Sequence, residues 1–335
     1  MSILVTGGAG FIGSNTCISL IDSGHSVIVA DNFCNSDPQV IENIQKITQA
    51  KVVKYKVDIT DESQVSSIFE NHSIEGVIHF AGYKSVGESV VEPVAYYHNN
   101  LMSTIAVAKS CLEYGVKKLI FSSSATVYGE NVSPLVEDMH LHQTTNPYGE
   151  TKAMSERILK DISYANPHLS IALLRYFNPV GAHISGLIGE APNGIPNNLM
   201  PYVTKTAKGE LEYLNVFGND YPTVDGTGVR DYIHVTDLAE GHVAALQNIE
   251  KGAHVYNLGT GRGTSVLELV TTFEEVNKIN IPYKIVDRRP GDIATCYADV
   301  TKAKKELGWE AKRDIRDMCR DSWRFEQNLH RFVKA

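Results

Sequence analysis

Short apolar runs and amphipathic stretches alternate along the first half of the chain. Ile3-Leu4-Val5 is a brief apolar run that passes straight into Thr6-Gly-Gly-Ala-Gly-Phe-Ile-Gly13. That pattern predicts a buried strand, a glycine-rich turn and a helix ending near Ser23-Gly24. Ser26 to Ala30 reads as the next strand, with Asp31 at its end. Asp37-Pro38 suits the opening of a helix that runs to about Gln49. Val52 to Val57 then reads as a strand, Asp61 to Asn71 as a helix, and Gly76 to Phe80 as a buried strand. A long helical stretch over Tyr96 to Tyr114 follows, then strands at Lys118–Ser122 and Ser170–Tyr176 with a helix between them that opens at Asn146-Pro147. Such alternation predicts an α/β fold, a Rossmann-type doubly wound parallel sheet with helices on both faces. Ligands in these folds bind at the carboxyl ends of the strands. Thr6–Gly13, Asp31, Asp58-Ile59, Phe80-Ala81-Gly82 and Ser122–Ser124 all fall there.

The rhythm breaks after Tyr176-Phe-Asn-Pro179. Residues 181–198 are rich in Gly, Pro and Asn and read as loops. We therefore expect a first domain over 1–178 and a smaller mixed α/β substrate-binding domain over 179–335. A segment near 230–260, with a strand at Val255–Leu258, is expected to return to the first sheet. In the second part, helices are expected at Met200–Lys208 and Thr236–Asn248. The charge-dense stretch from Lys302 reads as one or two amphipathic surface helices.

Composition narrows the class. The chain has 335 residues and a formal net charge of −8, which argues against bulk binding of nucleic acid or acidic membranes. No apolar run approaches the roughly 20 residues that span a bilayer, and the N-terminus does not read as a signal peptide. Five scattered cysteines without a Cys-x-x-Cys motif predict reduced thiols in the cytoplasm. The histidines show no metal-ligand spacing, so no metal is expected.

The candidate chemistry has two parts. Gly7 permits the tight turn, Gly10 lets the backbone approach a pyrophosphate, and Gly13 lets helix and strand pack closely. Asp31 stands where a ribose 2′-hydroxyl would be held, and its charge would repel a 2′-phosphate, which favours NAD over NADP. A ligand-free glycine turn, with Asp31 as a turn residue, is the alternative. The second part is Asn146-Pro-Tyr-Gly-Glu-Thr-Lys152, which sets Tyr148 and Lys152 at i and i+4 on one helix face. An ammonium beside a phenol favours the phenolate, so Tyr148 is expected to act as a base well below its free pKa of about 10. Tyr114 and Lys118 share the spacing, but straddle a helix end and a strand start. Arg230 and Arg289 are candidate diphosphate clamps; two solvated surface arginines are the alternative.

With Ser124, these motifs resemble the extended short-chain dehydrogenase/reductase superfamily. Asp31-Asn-x-Cys-Asn35, His79-Phe-Ala-Gly82, Ser122 to Tyr128, Tyr176 to Gly181, Gly194 to Pro201, Phe217 to Pro222, Gly226 to His234 and Arg288 to Asp292 narrow it. Together they are similar to the UDP-glucose 4-epimerase family, also called UDP-galactose 4-epimerases, over nearly the whole chain. The resemblance implies NAD-dependent interconversion of UDP-glucose and UDP-galactose through a 4-keto sugar, a tightly held cofactor and a homodimer built on the helices near 96–114 and at Tyr148. It implies that Tyr148 is the catalytic base, that Lys152 holds the nicotinamide ribose and lowers the tyrosine's pKa, and that Ser124 binds the reacting hydroxyl. Gly7, Gly10, Phe11, Ile12 and Gly13 would lie along the pyrophosphate. Asp31, Asn32, Asn35 and Ser36 would hold the adenosine ribose side, and Asp58 with Ile59 the adenine. Phe80, Ala81, Gly82, Lys84, Asn99, Ser122 and Tyr176 would complete the cofactor site. Lys84, Thr126, Phe177, Asn178, Asn198, Leu199, Asn215, Val216, Phe217, Arg230, Tyr232, Arg289, Asp292 and Cys296 would face the UDP-sugar.

Family members restricted to glucose and galactose nucleotides carry a tyrosine at the place of Cys296. The smaller residue implies that UDP-GlcNAc and UDP-GalNAc are also accepted, unless Cys296 is only a buried thiol filling space. Rival readings are a nucleotide-sugar 4,6-dehydratase, a plain dehydrogenase and a non-catalytic NAD sensor. A dehydratase needs an extra acid and base after the serine, where this chain has Ala125-Thr126.

Overall fold

A computed structural model of the chain describes residues 2–191, 196, 198–289 and 291–329. Gly194, Ile195, Asn197 and Pro290 of the motifs above lie outside them. The first part runs β1 (Ser2–Thr6), α1 (Phe11–Asp22), β2 (Ser26–Asp31), α2 (Gln39–Thr48), β3 (Val53–Lys56), α3 (Glu62–Asn71) and β4 (Ile74–His79). It continues with α4 (Val86–Val91), α5 (Pro93–Glu113), β5 (Lys118–Ser124), α6 (Pro147–Ala165) and β6 (Ser170–Tyr176). The second part holds β7 (Asn178–Val180), α7 (Leu199–Ala207), β8 (Leu214–Phe217), β9 (Val229–Arg230), β10 (Tyr232–His234) and α8 (Val235–Asn248). After these come β11 (Ala253–Leu258), β12 (Thr264–Ser265), α9 (Val266–Asn277), β13 (Tyr283–Val286), β14 (Thr295–Cys296) and α10 (Ile315–Leu329).

Seven strands form one sheet in the order β11-β6-β5-β4-β1-β2-β3, and every adjacent pair is parallel. Parallel strands need crossovers and are covered on both faces, so, whereas the edge strand β3 still alternates, the inner strands are largely apolar. β6 shows this most fully, since all seven of its residues are buried. One face packs on α1, α2 and α8 through Val5, Leu20, Val29, Ile44, Leu238 and Leu246. The other packs on α3, α5 and α6 through Leu4, Ile68, Val107, Leu119 and Leu159. β11 joins the sheet beside β6, as its apolar run predicts, and α8 lies against α1. Strand order reverses between β1 and β4, the crevice where such sheets take their ligands.

The remaining elements build a separate apolar cluster from Val203, Val216, Tyr232, Leu269, Phe273 and Met318. Three features depart from the sequence reading. α4 is an additional helix, only six residues long and containing Gly87, so it carries too little periodicity to be read. β8 pairs in parallel with β13 to form a small second sheet, a long-range pairing with no local signature. The C-terminal helix α10 is amphipathic as expected but is no mere surface helix, because it buries Met318, Cys319 and Phe325 against the second cluster and the loop at Gly189.

Leu173 sits at the centre of β6 with no exposed surface. Leu173→Ala is expected to cost about 2–5 kcal/mol, read as a fall in the denaturant midpoint. Val132→Ala, at a side chain 82% exposed, should leave the midpoint unchanged.

Candidate active site

The glycine turn joins β1 to α1, and its geometry explains its composition. Gly7 has φ +68°, and a Cβ there would lie 2.8 Å from the backbone nitrogen of Ala81 at the end of β4. A Cβ on Gly13 would lie 2.3 Å from the carbonyl oxygen of Gly7, so α1 can approach β1 only as glycine. At Gly10 a Cβ would meet only the Gly7 carbonyl, at 3.2 Å, leaving the turn's outer side open. The first turn of α1 has no side-chain cap and no acidic residue, so its N–H groups remain available to an anion. Asp31 closes the turn from β2. Its Oδ2 accepts from the Ala9 amide at 3.0 Å, and its Oδ1 from the Phe33 amide at 2.8 Å and the Ser36 hydroxyl at 3.1 Å.

A cavity of about 320 Å³ opens along this edge of the sheet. Every residue expected at the cofactor lines it: Gly7, Gly10, Phe11, Ile12, Gly13, Asp31, Asn32, Asn35, Ser36, Asp58, Ile59, Phe80, Ala81, Gly82, Lys84, Asn99, Ser122, Tyr148, Lys152 and Tyr176. The shape fits a dinucleotide. A glycine-cleared cradle at a helix N-terminus stands at one point, and a carboxylate placed for a ribose stands beside it.

The reactive groups lie at the far end. Asn146 caps α6, accepting from the Gly149 amide at 2.8 Å, and Pro147 takes the first helical position. This cap fixes where the helix begins and so which way Tyr148 and Lys152 face. Lys152 is buried, and its Nζ donates to the Ser122 carbonyl at 2.7 Å and to Ser122 Oγ at 3.2 Å. It lies 6.0 Å from the centroid of the Tyr148 ring and 4.8 Å from that of Phe121. Ser124 Oγ accepts from both the amide and the hydroxyl of Thr126, at 3.2 and 3.0 Å. With its acceptor positions so used, its own proton is free to point to Tyr148 or a reacting hydroxyl. Tyr176 lines the cavity, and its hydroxyl is engaged by His242. His242 Nδ1 donates to the Leu238 carbonyl at 2.8 Å, so its Nε2 accepts from the Tyr176 hydroxyl.

The electrostatics correct one expectation. Burial pushes Tyr148 above the ordinary phenol value, and the Ser124 hydroxyl works against that shift. Lys152 bonds to Ser122 and is itself pushed down to about 8 by burial. The site is dry enough that desolvation of both groups outweighs their attraction.

The second-part residues fall into two sets. Arg230 Nη2 donates to Asp292 Oδ1 at 3.2 Å, and Arg289 Nε to Asp292 Oδ2 at 3.0 Å. Arg289 also stacks on Phe217, 4.8 Å from its centroid, so Arg230, Arg289, Asp292 and Phe217 form one cluster. These are not two isolated solvated arginines. Cys296 pairs with Arg230 across β14 and β9 and is half-buried against the cluster that holds Phe177. Asn178 begins β7, and its amide is held by the Asp231 carbonyl. Asn215 and Phe217 point outward from β8, whereas the Val216 side chain is buried in the second apolar cluster, as is Tyr232. Only the backbone of Val216 can meet a ligand. Asn198 precedes α7 without capping it, and instead donates to Glu190 at 2.5 Å. Leu199 packs on the second cluster from the first turn of α7.

Glu190 was not singled out in the sequence. It lines the cavity and also accepts from Lys84 at 3.3 Å, so it joins a residue expected at the cofactor to one expected at the substrate. Phe325 and Leu329 of α10 line the same cavity. Glu190 lies in an aperiodic loop and α10 is remote in sequence, so no local pattern marks them.

A sequence model described as the NAD dependent epimerase/dehydratase family matches residues 3–259. The UDP-glucose 4-epimerase of Bacillus subtilis is 59% identical over 331 residues, covering 98% of this chain and 97% of that protein. A crystal structure of UDP-glucose 4-epimerase from Bifidobacterium longum, in complex with NAD+ and UDP, superposes with a TM-score of 0.94 at 53% identity, covering 98% of each chain. That of the Stenotrophomonas maltophila enzyme, with bound NAD and formylated UDP-arabinopyranose, gives 0.96 at 48% identity over 99% of each.

Gly13→Ala places a methyl group against the Gly7 carbonyl and must displace the turn. The purified variant is expected to lose most of its bound dinucleotide, measured in the supernatant after denaturation, while Gly87→Ala, where the added group meets nothing and the backbone is unstrained, is the control for handling.

Proposed function

The chain belongs to the NAD dependent epimerase/dehydratase family, and from that premise we propose that Tyr148, Lys152 and Ser124 carry out the interconversion of UDP-glucose and UDP-galactose. The observation that carries this reading is that Tyr148, with the Ser124 hydroxyl hydrogen-bonded to it, and Lys152 share one cavity with the full set of residues expected for NAD. NAD, when bound, supplies the hydride acceptor and donor, and its positive ring adds the charge that favours a phenolate. Tyr148 takes the proton from the sugar C4 hydroxyl and later returns it. Ser124 donates to the same oxygen. Lys152 holds the ribose and remains largely cationic at neutral pH, with its pKa near 8.

Inversion at C4 requires the 4-keto sugar to present its other face before it is reduced again. The nucleotide must therefore be gripped and the sugar left loose. Asn178, Asn198, Leu199, Asn215, Phe217, Arg230, Arg289 and Asp292, with the backbone of Val216, supply the grip on UDP. Arg230 and Arg289 are oriented by Asp292, which keeps two forks side by side for a diphosphate. A 4,6-dehydratase is disfavoured because Ala125 and Thr126 follow Ser124 and bring no carboxylate.

The same reading divides the chain into an NAD-binding domain and a UDP-sugar-binding domain, in keeping with the separate apolar clusters. A homodimer is supported by an exposed apolar face where α4 meets α5: Val90, Val91 and Val94 are 61%, 75% and 80% exposed. Sedimentation of the purified chain reads this directly. A cytoplasmic location is in keeping with five free cysteines.

Purified protein with no added cofactor is expected to convert UDP-galactose, followed through the sugar protons by NMR; failure to convert it would remove the reading. Tyr148→Phe should retain NAD and UDP but lose about 10²–10⁴-fold in kcat. Cys296 bears on substrate range. With Cys296 the wild-type protein should also convert UDP-GalNAc, and Cys296→Tyr should abolish that activity while sparing UDP-galactose; parallel loss of both would discard the role of Cys296.

A further inference from the structure

About 12 Å beyond Tyr148 along α6, on the stripe that also carries Lys152, the helix buries a carboxylate. Glu156 is 1% exposed, and so is Arg175 of β6. Arg175 grips both oxygens, with Nε to Oε1 at 2.9 Å and Nη2 to Oε2 at 2.7 Å. Ser123 of β5 donates to Oε1 at 2.6 Å. On its other side Arg175 donates to the Glu137 carbonyl at 3.2 Å and stacks 4.6 Å from the centroid of Tyr128.

Neither Glu156 nor Arg175 lines the cavity, yet Ser123, Tyr128 and Arg175 itself stand in segments that carry residues of the site. Ser123 lies between Ser122, which holds Lys152, and Ser124. Arg175 precedes Tyr176. Tyr128 ends the turn that begins at Ser124 and contains Thr126. Apolar packing alone lets a helix rotate or slide a little at small cost, whereas a two-pronged fork fixes both motions. Stability does not account for the pair, because apolar side chains of similar volume are commonly as good at such a site.

We infer that Glu156 is a positioning residue which, through Arg175 and Ser123, sets the register of α6 against β5 and β6 and thereby the placement of Tyr148 and Lys152 relative to Ser124 and Ser122. The inference rests on the epimerase reading for its kinetic consequence only. Misplacement of a reacting group by about 1 Å costs on the order of 10²-fold in rate.

The test removes both charges together, so that neither is left buried alone. The double variant Glu156→Leu/Arg175→Met, purified with its resident cofactor, is expected to keep its NAD content and its calorimetric affinity for UDP. Its kcat on UDP-galactose should fall at least about tenfold, and amide hydrogen exchange in the first two turns of α6 should quicken. Glu156→Gln, which keeps the shape and one acceptor, should fall less, and it carries the same readouts if the double variant does not fold. Unchanged kcat in a folded variant overturns the proposal. So does a fall in which UDP affinity drops in parallel with kcat, since that marks general loosening. Should the wild type convert no UDP-galactose, the epimerase reading has failed, and the exchange of α6 still decides the positioning: unchanged exchange overturns it.

Discussion

A parallel sheet must be covered on both faces, and each strand must be followed by a crossover before the next can pair. Consequently all seven strands end at the same edge, and all the loops that follow them crowd together there. The glycine turn after β1, Asp31 at the end of β2, Asp58 after β3, Ala81 after β4 and Ser122-Ser123 near the end of β5 meet for this reason alone. The closest of these contacts passes through missing side chains. Gly7 lets β1 and β4 end side by side, and Gly13 lets α1 sit down on the turn. The cavity is thus a product of what the backbone is allowed to approach, and the polar groups are arranged on its rim afterwards.

Within that cavity the energetics work against charge. Lys152 is a buried cation held by a carbonyl and a hydroxyl, with no carboxylate against it. A carboxylate there would hold it charged more firmly but would also disfavour the phenolate of Tyr148. The nearest buried acid on α6 is Glu156, and its charge is matched by Arg175. Pairing Arg175 with Glu156 anchors the helix, and leaves Lys152 as the cation beside Tyr148 that no such pair neutralises among the described residues.

The sheet and its helices were largely legible in the sequence, because an apolar run buried on both faces leaves a continuous local signal. β6 and β11 are examples, down to their shared sheet. The glycine turn and Asp31 were legible because steric demands restrict those positions to few residue types. What could not be read is what depends on distant pairing. β8 finds β13 across some 70 residues, and Glu190 reaches Lys84 and Asn198 from a loop with no period. The upward shift of Tyr148 is likewise absent from the sequence pattern. Spacing along a helix gives which side chains share a face, but not how dry their surroundings are, and here dryness governs the proton.

Asp31 has a double duty. Its two oxygens tie the Ala9 amide of the glycine turn to the Phe33 amide and the Ser36 hydroxyl of the loop after β2. The residue that would discriminate between a bare and a phosphorylated ribose is therefore also the clasp of the loop that receives the phosphates. A lineage that exchanged this carboxylate for a neutral or basic side chain would change its cofactor and unfasten its binding loop in a single step. Cofactor choice in this chain is for that reason tied to loop structure, since any replacement for Asp31 leaves the Ala9 and Phe33 amides and the Ser36 hydroxyl to find another acceptor.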